Sequence, residues 1–322
     1  MKALKFHAVL VPKLWGGEAI ARLKSIDDAP ARVGESFEIS ALPGQETYCS
    51  TEGYRGCTLP QLIEEFGARL MGESNFVRFG TQFPLLVKFI DACQPLSVQV
   101  HPDDALAREL GMPYGKSEMW YVIGTQPDAS LMAGFREDVN PENFESMLSD
   151  GTLIDKANCY ETHAGDAFYI PAGTLHSIGA GNLIVEVQQS SGATYRVYDF
   201  DRKDELGRRR ELHVDLAHRA LNFKAGNNCY HKLSDEFGYP VPVVQSPYFS
   251  TQVLRLNTPY ALPLADLDSF VIMVCYSGSA QLVDEHGNVV GLHSGETLLI
   301  PAATQYLTIE PKVSFSCLMA YV

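Results

Sequence analysis

Residues 165–178 read GDAFYIPAGTLHSI, and the segment HAGDAFYIPA at residues 163–172 returns as HSGETLLIPA at residues 293–302. Five identities (His, Gly, Ile, Pro and Ala) recur at an offset of 130 residues. Self-similarity at a long, fixed offset indicates a duplicated module. The first copy continues to His176, whereas the second has Tyr306 at the same place. We therefore expect one copy to carry chemistry and the other to lack it.

Outward from this repeat, most of the chain is patterned as short strands. Runs rich in β-branched and aromatic residues, such as 83–90 and 194–198, alternate with Gly and Pro turns. This pattern predicts a mainly β fold, an antiparallel sandwich or barrel rather than a series of βαβ units. Helical periodicity is confined to a few stretches, chiefly 58–71, 104–110 and 141–148.

The length of the chain indicates more than one domain. Single hydrophobic cores stop growing near about 250–300 residues, and this chain has 322. Polar and Pro-containing sequence interrupts the strand pattern around residues 225–245. We expect a first domain over residues 1–235, with an N-terminal extension and helical insertions, and a second domain over residues 236–322.

The spacing Gly165-(x)5-Pro171-x-Gly173-x-x-His176 resembles the second sequence motif of the cupin superfamily. In such a motif the glycines and the proline shape a hairpin, and the histidine projects from the next strand into a barrel. The usual Asn four residues after the histidine is replaced here by Ala180. The resemblance implies two cupin modules, each a jelly-roll or β-sandwich barrel, with a few helices inserted in and before the first. The second module would lack the metal histidine.

A cupin metal site needs further ligands from preceding strands, and suitable residues are present there. Gln99 and His101 share one face of a strand because side chains alternate with period two. Glu118 begins the next strand. With His176 these residues offer two imidazoles, a carboxylate and a neutral oxygen, which suits one Zn²⁺ per chain or another divalent metal. Singly, each has a structural explanation, such as an exposed ion pair between Glu118 and Lys116; together they favour a metal site.

Composition excludes several classes of protein. Hydrophobic residues make up 46% of the chain, so it is not a disordered protein. The net charge of −14 argues against nucleic acid or an anionic membrane as the main partner. Seven scattered cysteines without a Cys-x-x-Cys pair are typical of free thiols in a reducing compartment. Because we find no signal-peptide pattern and no long apolar segment, we expect a cytoplasmic protein.

Four longer segments carry the pattern of a known enzyme family, and two shorter ones agree with it. The longer segments are PLLVKFIDACQPLSVQVHPDD at 84–104, GKSEMWYVI at 115–123, IPAGTLHSIG at 170–179 and YRVYDFDR at 195–202, and the shorter ones are GESFEIS at 34–40 and LWGGEAIA at 14–21. Together they resemble the type I mannose-6-phosphate isomerases, and in particular their short bacterial form with two cupin modules. The resemblance implies a zinc-dependent interconversion of mannose 6-phosphate and fructose 6-phosphate, with Gln99, His101, Glu118 and His176 as the metal ligands.

The resemblance also implies roles for three basic residues. Arg196 lies where the family has its catalytic arginine, Lys116 matches a lysine assigned to catalysis or phosphate contact, and Lys88 is a further candidate for substrate contact. The chemistry agrees, because aldose–ketose isomerisation passes through a cis-enediol and develops negative charge on the carbonyl oxygen. The alternatives are a structural salt bridge for Arg196 and, for Lys88, a side chain that reaches to solvent.

Two more residues are candidates for substrate binding. Glu186 shares a strand face with residues 184 and 188, and Trp15 lies beside two glycines near the N-terminus. The run 208–210, three arginines among acidic residues, predicts a solvated surface. The sequence leaves the general base open between a metal-bound water and four side chains, namely Lys116, Glu186, Asp103 and Asp104.

Other functions fit parts of the same pattern. Two histidines and a carboxylate also form the metal triad of Fe(II) dioxygenases, although Gln99 and the basic residues suit an anionic sugar better. A glucose-6-phosphate isomerase on a cupin scaffold and a non-enzymatic sugar-binding cupin are the remaining alternatives. We expect a monomer or a homodimer.

Overall fold

The structure, a computed structural model, describes residues 1–226, 229–233 and 236–322. These residues form 21 β-strands, eight α-helices and one 3-10 turn at Pro141–Asn143. None of the helices in these ranges is long and apolar enough to cross a lipid bilayer.

The first thirteen strands precede the last helix of the chain. They are β1 (Leu4–His7), β2 (Val9–Gly17), β3 (Val33–Ile39), β4 (Tyr48–Cys49), β5 (Leu85–Ala92), β6 (Val98–Val100), β7 (Glu118–Thr125), β8 (Ser130–Phe135), β9 (Ala157–Glu161), β10 (Asp166–Ile170), β11 (His176–Ile178), β12 (Asn182–Gln189) and β13 (Tyr195–Tyr198).

The other eight strands follow that helix. They are β14 (Tyr230–Lys232), β15 (Pro240–Gln245), β16 (Ser250–Leu256), β17 (Tyr260–Pro263), β18 (Val271–Asp284), β19 (Val289–His293), β20 (Thr297–Ile300) and β21 (Tyr306–Tyr321). The helices are α1 (Ala19–Leu23), α2 (Leu59–Phe66), α3 (Ala68–Met71), α4 (Glu73–Phe79), α5 (Asp104–Glu109), α6 (Phe144–Ser149), α7 (Thr152–Asp155) and α8 (Val214–Ala220).

Three antiparallel sheets organise these strands. A seven-stranded sheet has the order β14-β10-β7-β12-β5-β3-β2, and a five-stranded sheet has the order β13-β6-β11-β8-β9. A nine-stranded sheet has the order β15-β16-β21-β18-β20-β1-β4, with β17 paired to β21 and β19 paired to β18. This architecture confirms the predicted mainly β fold and its antiparallel pairing.

The seven-stranded and five-stranded sheets pack face to face as a first sandwich. Ile90 and Ile184 from the former contact the same buried cluster as Leu131 and Ile178 from the latter. Side chains of successive residues point to opposite faces of a strand, so this cluster uses alternate positions of each strand.

The other face of the seven-stranded sheet packs on the nine-stranded sheet. Val87 and Phe89 of β5 share a buried cluster with Ile272 and Val274 of β18. The sheet is therefore covered on both faces, and all eight residues of β5 are buried. That explains why LLVKFIDA is nearly continuously apolar although its pairing is antiparallel, since alternation needs one solvated face.

The interior of the second module is filled by apolar side chains. Met273, Leu282, Leu298 and Phe315 belong to one fully buried cluster. Tyr306, the counterpart of His176 in the repeat, begins β21 and is 45% exposed. The repeated segment thus forms a strand in both modules, β10 and β20, but only the first continues to a histidine in the core.

The N-terminal strand does not stay with the first sandwich. β1 pairs with β20, and β4 pairs with β1, so both extend the nine-stranded sheet. The expected domain boundary after residue 235 falls on a residue outside the described ranges. The division into residues 1–235 and 236–322 therefore stays a prediction.

Helices form at all three predicted stretches, while α1, α4, α7 and α8 lie outside them. The predicted helix over 58–71 is two helices, α2 and α3, because Gly67 between them has a φ of +50°. That left-handed conformation interrupts the helical hydrogen bonds and strongly favours glycine. The stretch 104–110 forms α5, and 141–148 forms the 3-10 turn followed by α6.

Candidate metal centre and substrate cleft

Strand register places three of the predicted site residues side by side on the five-stranded sheet. Gln99 of β6 is the direct partner of His176 on β11 and of Arg196 on β13. Directly opposed residues of an antiparallel pair point to the same face of the sheet. Arg196, Gln99 and His176 therefore form one row that faces the interior of the first sandwich.

A second row stands on the seven-stranded sheet. Glu186 of β12 is the direct partner of both Lys88 on β5 and Trp120 on β7. Lys88 Nζ lies 3.1 Å from Glu186 Oε1, and Trp120 Nε1 donates a hydrogen bond of 3.0 Å to Glu186 Oε2. Residues of both rows line one cleft, since Lys88, Glu186, Gln99 and Arg196 are all part of its wall.

Beside this cleft, in contact with its wall residues Lys116 and Gln99, lie the predicted metal ligands. Glu118, the first residue of β7, has Oε2 at 3.4 Å from His101 Nε2 and Oε1 at 3.4 Å from His176 Nε2. One ligand atom from each residue falls within 4.8 Å of the others, and all three residues are buried. Within the described ranges this is the only group of three His, Cys, Asp or Glu side chains so arranged.

The charge state of this group suits a divalent cation. Burial, together with the charge of Lys116, lowers the pKa of His101 to about 3. Burial also lowers the pKa of His176. Burial alone would raise the pKa of Glu118, but the charge of Lys116 and the contacts with His101 and His176 together outweigh burial and hold that pKa well below the ordinary value. Two neutral imidazoles beside an ionised carboxylate are what metal binding requires.

The hydrogen bonds around the group leave its ligand atoms free to face a metal. Both ring nitrogens of His101 lie buried without a hydrogen-bond partner. His176 Nδ1 lies 2.8 Å from the carbonyl oxygen of Thr174, so Nδ1–H donates and Nε2 presents its lone pair. The amide of Gln99 lies 3.3 Å from that Nε2, and half a turn of the amide directs its oxygen there. These donors fit zinc.

Lys116 reaches the metal end of the cleft on a tightly held segment. Its Nζ lies 3.0 Å from Glu118 Oε2. A Cβ atom on Gly115 would lie 2.5 Å from the backbone carbon of Asp103, so only glycine allows this close approach. On the other side, Gln189 accepts a hydrogen bond of 2.8 Å from the backbone N–H of Ser117 and donates one of 2.9 Å to Asp104.

Lys88 belongs to a buried chain of charges. Its Nζ lies 3.3 Å from Glu35 Oε1 and 5.0 Å above the ring of Phe37. Lys13 Nζ lies 2.7 Å from the other oxygen of Glu35. Although burial opposes ionisation of Glu35, the charges of Lys88 and Lys13 prevail and lower its pKa to about 2. In return, Glu186 and Glu35 raise the pKa of Lys88 against the effect of burial.

Arg196 is held by neutral acceptors. Its Nε donates to Ser97 Oγ at 3.2 Å, and its Nη1 donates to the carbonyl oxygen of Glu211 at 2.9 Å. The backbone N–H of Arg196 donates to His213 Nδ1 at 3.2 Å, which gives that histidine a structural role. The structural salt bridge that is the alternative role of Arg196, to Glu186 or to Asp199, is not among the ion pairs of the described residues.

Comparison with known proteins shows the family of this chain. A family model described as phosphomannose isomerase type I, catalytic domain, matches residues 3–123. The mannose-6-phosphate isomerase of Streptococcus mutans serotype c is 39% identical over 246 residues, which cover 76% of each chain. The chain belongs to the type I mannose-6-phosphate isomerase family.

Solved structures of this family superpose on the whole chain. The crystal structure of the mannose 6-phosphate isomerase from Bacillus subtilis has a TM-score of 0.87 at 29% identity and covers 100% of both chains. A zinc-bound mannose 6-phosphate isomerase has a TM-score of 0.77 at 17% identity over 99% of each chain, and shares the fold. The family predicted from the sequence is confirmed.

In this member of the isomerase family the predicted site residues meet in one place. His101, Glu118 and His176 form the ligand group, and the other six predicted residues, Gln99, Arg196, Lys116, Lys88, Glu186 and Trp15, line the cleft. The roles assigned to them stay predictions. Trp15 is 4% exposed and packs in the apolar core of the sandwich as well as on the cleft wall.

Two of the four side chains considered as general base serve the backbone instead. Asp103 accepts a hydrogen bond of 2.8 Å from Leu106 N and so caps α5, and Asp104 accepts one of 2.8 Å from Gly115 N. Neither belongs to the cleft wall. Lys116 and Glu186 do.

Sequence reasoning missed several residues of this isomerase-family cleft. Lys13, Glu35, Ser97 and Arg210 also line it. The segment 34–40 matches the family pattern, and this match indicates that Glu35 belongs to the site. Arg210 was placed with a solvated run, and for that residue the prediction differs from the structure because its side chain turns inward to Asp199.

Proposed function

We propose that this chain is a metal-dependent aldose–ketose isomerase that interconverts mannose 6-phosphate and fructose 6-phosphate. The observation that carries the proposal is the buried group of His101, Glu118 and His176 beside a cleft lined by Lys116 and Arg196. A neutral-imidazole and carboxylate donor set beside fixed cations suits a reaction that develops negative charge on a sugar oxygen.

We assign one Zn²⁺ per chain to His101, Glu118, His176 and Gln99. When bound, zinc supplies a Lewis acid that polarises the carbonyl oxygen of the sugar. The protein's contribution is to hold the donors in place. Thr174 orients the ring of His176, and Lys116 stabilises the ionised form of Glu118.

The proton that moves between C1 and C2 needs a group that can hold it near the metal end. Lys116 and Glu186 are the two side chains of the cleft that meet this requirement among those considered. Lys116 Nζ lies 3.0 Å from Glu118, so it is adjacent to the ligand group. Burial raises the pKa of Glu186, which favours proton uptake by that carboxylate.

Arg196 and the residues of the second row complete the cleft. Arg196 stands next to Gln99 in register and presents a planar, permanently charged group that stabilises anionic oxygens. Lys88 and Glu186 offer hydrogen bonds to sugar hydroxyls, and Trp15 offers an apolar ring edge at the wall. These are the substrate-binding roles that we assign to them.

We further propose that the protein acts in the cytoplasm as a monomer or a homodimer. All seven cysteines are free, as expected for a reducing compartment. The apolar outer face of the seven-stranded sheet is covered by the nine-stranded sheet of the same chain, so the fold does not need a second copy to bury it. Light scattering on the purified protein measures the oligomeric state.

The decisive experiment measures conversion of mannose 6-phosphate to fructose 6-phosphate together with the metal content of the purified protein. We expect turnover that a chelator abolishes and Zn²⁺ restores. His176→Ala should lose metal and turnover together. His163→Ala is the matched control, because His163 is an exposed histidine of the same repeat. Full turnover by metal-free His176→Ala would refute the proposal.

Isotope exchange then separates the two proton carriers. In D2O the isomerase should incorporate deuterium from solvent or transfer the substrate proton, and either path needs the base. Lys116→Met and Glu186→Gln are compared for exchange at C2 with bound metal retained. The variant that loses exchange while it keeps zinc identifies the base; retention of full exchange by both would exclude these two residues.

A further inference from the structure

A cluster of arginines surrounds one buried carboxylate beside the cleft. Asp199, directly after β13, is 6% exposed. Arg202 Nη2 lies 3.1 Å from Asp199 Oδ1. Arg210 Nε donates to Asp199 Oδ2 at 2.7 Å, and its Nη2 donates to Oδ1, so the two side chains form a bidentate pair. Asp199 thus fixes the guanidinium of Arg210 at the cleft wall.

The loop after β13 is what brings Arg210 back to Asp199. Asp204 accepts hydrogen bonds from the backbone N–H groups of Leu206 and Arg208, which closes a tight turn. Arg209 pairs with exposed Asp201, and its side chain is 61% exposed. Arg210, one residue later, is 29% exposed and pairs with the buried Asp199 instead. The three consecutive arginines therefore differ in orientation.

The cluster carries an excess of positive charge. Arg196, Arg202 and Arg210 bring three positive charges to the one negative charge of Asp199, a net charge of +2 in a chain whose net charge is −14. Burial and then the charge of Arg210 lower the pKa of Arg196, so the two guanidinium groups are close enough to repel. An anion bound between them would relieve that repulsion.

The lysines of the cleft are already paired. Lys88 and Lys13 lie against Glu35, and Lys116 lies against Glu118. Positive charge therefore exceeds negative charge at the arginine cluster, and two of its members, Arg196 and Arg210, line the cleft. A phosphate monoester carries about −1.5 to −2 charges near neutral pH, which matches the excess.

We propose that Arg210, positioned by Asp199, binds the phosphate group of the sugar phosphate and so selects phosphorylated over free hexoses. This inference rests on the proposed function, because it names the residue that recognises the phosphate in the same cleft. The planar fork of Arg210 uses Nε and Nη2 on Asp199 and leaves Nη1 for a phosphate oxygen, and the neighbouring guanidinium of Arg196 adds a second cation.

The test compares two single substitutions that remove the same charge from adjacent positions. Arg210→Met and Arg209→Met are prepared with zinc bound, and KM and kcat are measured with mannose 6-phosphate. We expect Arg210→Met to raise KM on the order of 10- to 100-fold, as for loss of a charge-assisted hydrogen bond. Arg209→Met should stay within about twofold of the unsubstituted protein, since exposed charges far from the substrate are screened.

Inorganic phosphate serves as the second probe. Its dissociation constant for the zinc-loaded protein is measured by calorimetry with the same variants. Arg210→Met should weaken phosphate binding by a factor similar to its rise in KM. If the unsubstituted protein binds phosphate but does not convert mannose 6-phosphate, the proposed function fails while the Arg210 assignment stands. If Arg210→Met binds phosphate as tightly as Arg209→Met, the assignment is overturned.

Arg210→Lys covers the case in which Arg210→Met does not fold. It keeps the charge opposite Asp199 but lacks the bidentate fork, so we expect a rise in KM between those of the other two variants. Suppose that Arg210→Met misfolds and that Arg210→Lys has the same KM and phosphate dissociation constant as the unsubstituted protein. That result would also overturn the assignment, because an ammonium group does not replace a guanidinium fork that contacts phosphate without loss of affinity.

Discussion

Replacing Lys88 by Met tests the buried charge chain that forms the second row of the cleft. Lys88 is 7% exposed, and its Nζ lies within 3.3 Å of Glu35 and 3.1 Å of Glu186. Methionine preserves the volume of the stem but removes the cation. Two buried carboxylates then lose a shared partner, and the loss of one partner from a buried ion pair costs about 3–5 kcal/mol.

The two carboxylates respond differently to that loss. Glu35 keeps Lys13 at 2.7 Å, so its charge stays compensated. Glu186 keeps the hydrogen bond from Trp120 but loses the nearest cation, and burial already raises its pKa. Without Lys88 this pKa rises further, so the folded protein binds a proton that the unfolded chain releases. Stability then falls as pH rises above the ordinary carboxyl pKa, because the folded state binds more protons than the unfolded state in that window.

Urea unfolding of the zinc-loaded protein measures these effects. We expect Lys88→Met to lose about 3–5 kcal/mol at pH 8 and less at pH 5.5. Lys13→Met is the control, since Lys13 pairs with the same Glu35 but its side chain is 31% exposed, and it should lose about 1 kcal/mol or less. Adding Glu186→Gln to Lys88→Met should recover about 2 kcal/mol at pH 8, because no uncompensated charge is left there. Equal losses in Lys88→Met and Lys13→Met, or no recovery in the double variant, would refute this reasoning.

Three further predictions follow from the site. Arg196→Ala should retain zinc, measured by elemental analysis, while kcat falls by about 100-fold or more, since charge stabilisation at a reacting oxygen has that magnitude; loss of zinc instead would make Arg196 structural. Gln189→Leu should lower kcat by about tenfold at unchanged zinc content, because the segment that carries Lys116 loses the hydrogen bonds of the Gln189 side chain. An unchanged kcat would show that Gln189 does not position that segment. Gly115→Ala should lower the free energy of urea unfolding by about 1–3 kcal/mol, since the new Cβ would lie 2.5 Å from the backbone of Asp103. An unchanged free energy would mean that the two segments can move apart without cost.

The ligand group could be predicted from the sequence because its signals are local. The spacing from Gly165 to His176 describes one hairpin, and the pair Gln99 and His101 follows from the period of a single strand. Glu186 was found in the same way, from alternation along β12. Each of these patterns is complete within about a dozen residues.

The contacts that sequence reasoning missed depend on chain segments far apart. Glu35 meets Lys88 because β3 and β5 pair in a register that places Phe37 opposite Lys88, and neither strand alone records that register. Arg210 turns inward because a loop closes on Asp199, while its neighbours in the same run stay in solvent. Hydrophobic periodicity predicted one helix over residues 58–71, but Gly67 separates α2 from α3. Hydrophobic spacing does not reveal a single residue in the left-handed conformation.

The sequence by itself predicted the strand-rich class and the duplication, because strand periodicity and motif spacing follow directly from backbone geometry. The resemblance of its motifs indicated the family and the candidate metal ligands. Tertiary structure decided which charges neutralise one another and which stay in excess. The lysines of the cleft are paired, and the surplus sits around Asp199. That balance is set by distances of a few ångströms between side chains on different strands, and electrostatic energy depends on such distances rather than on the order of residues along the chain.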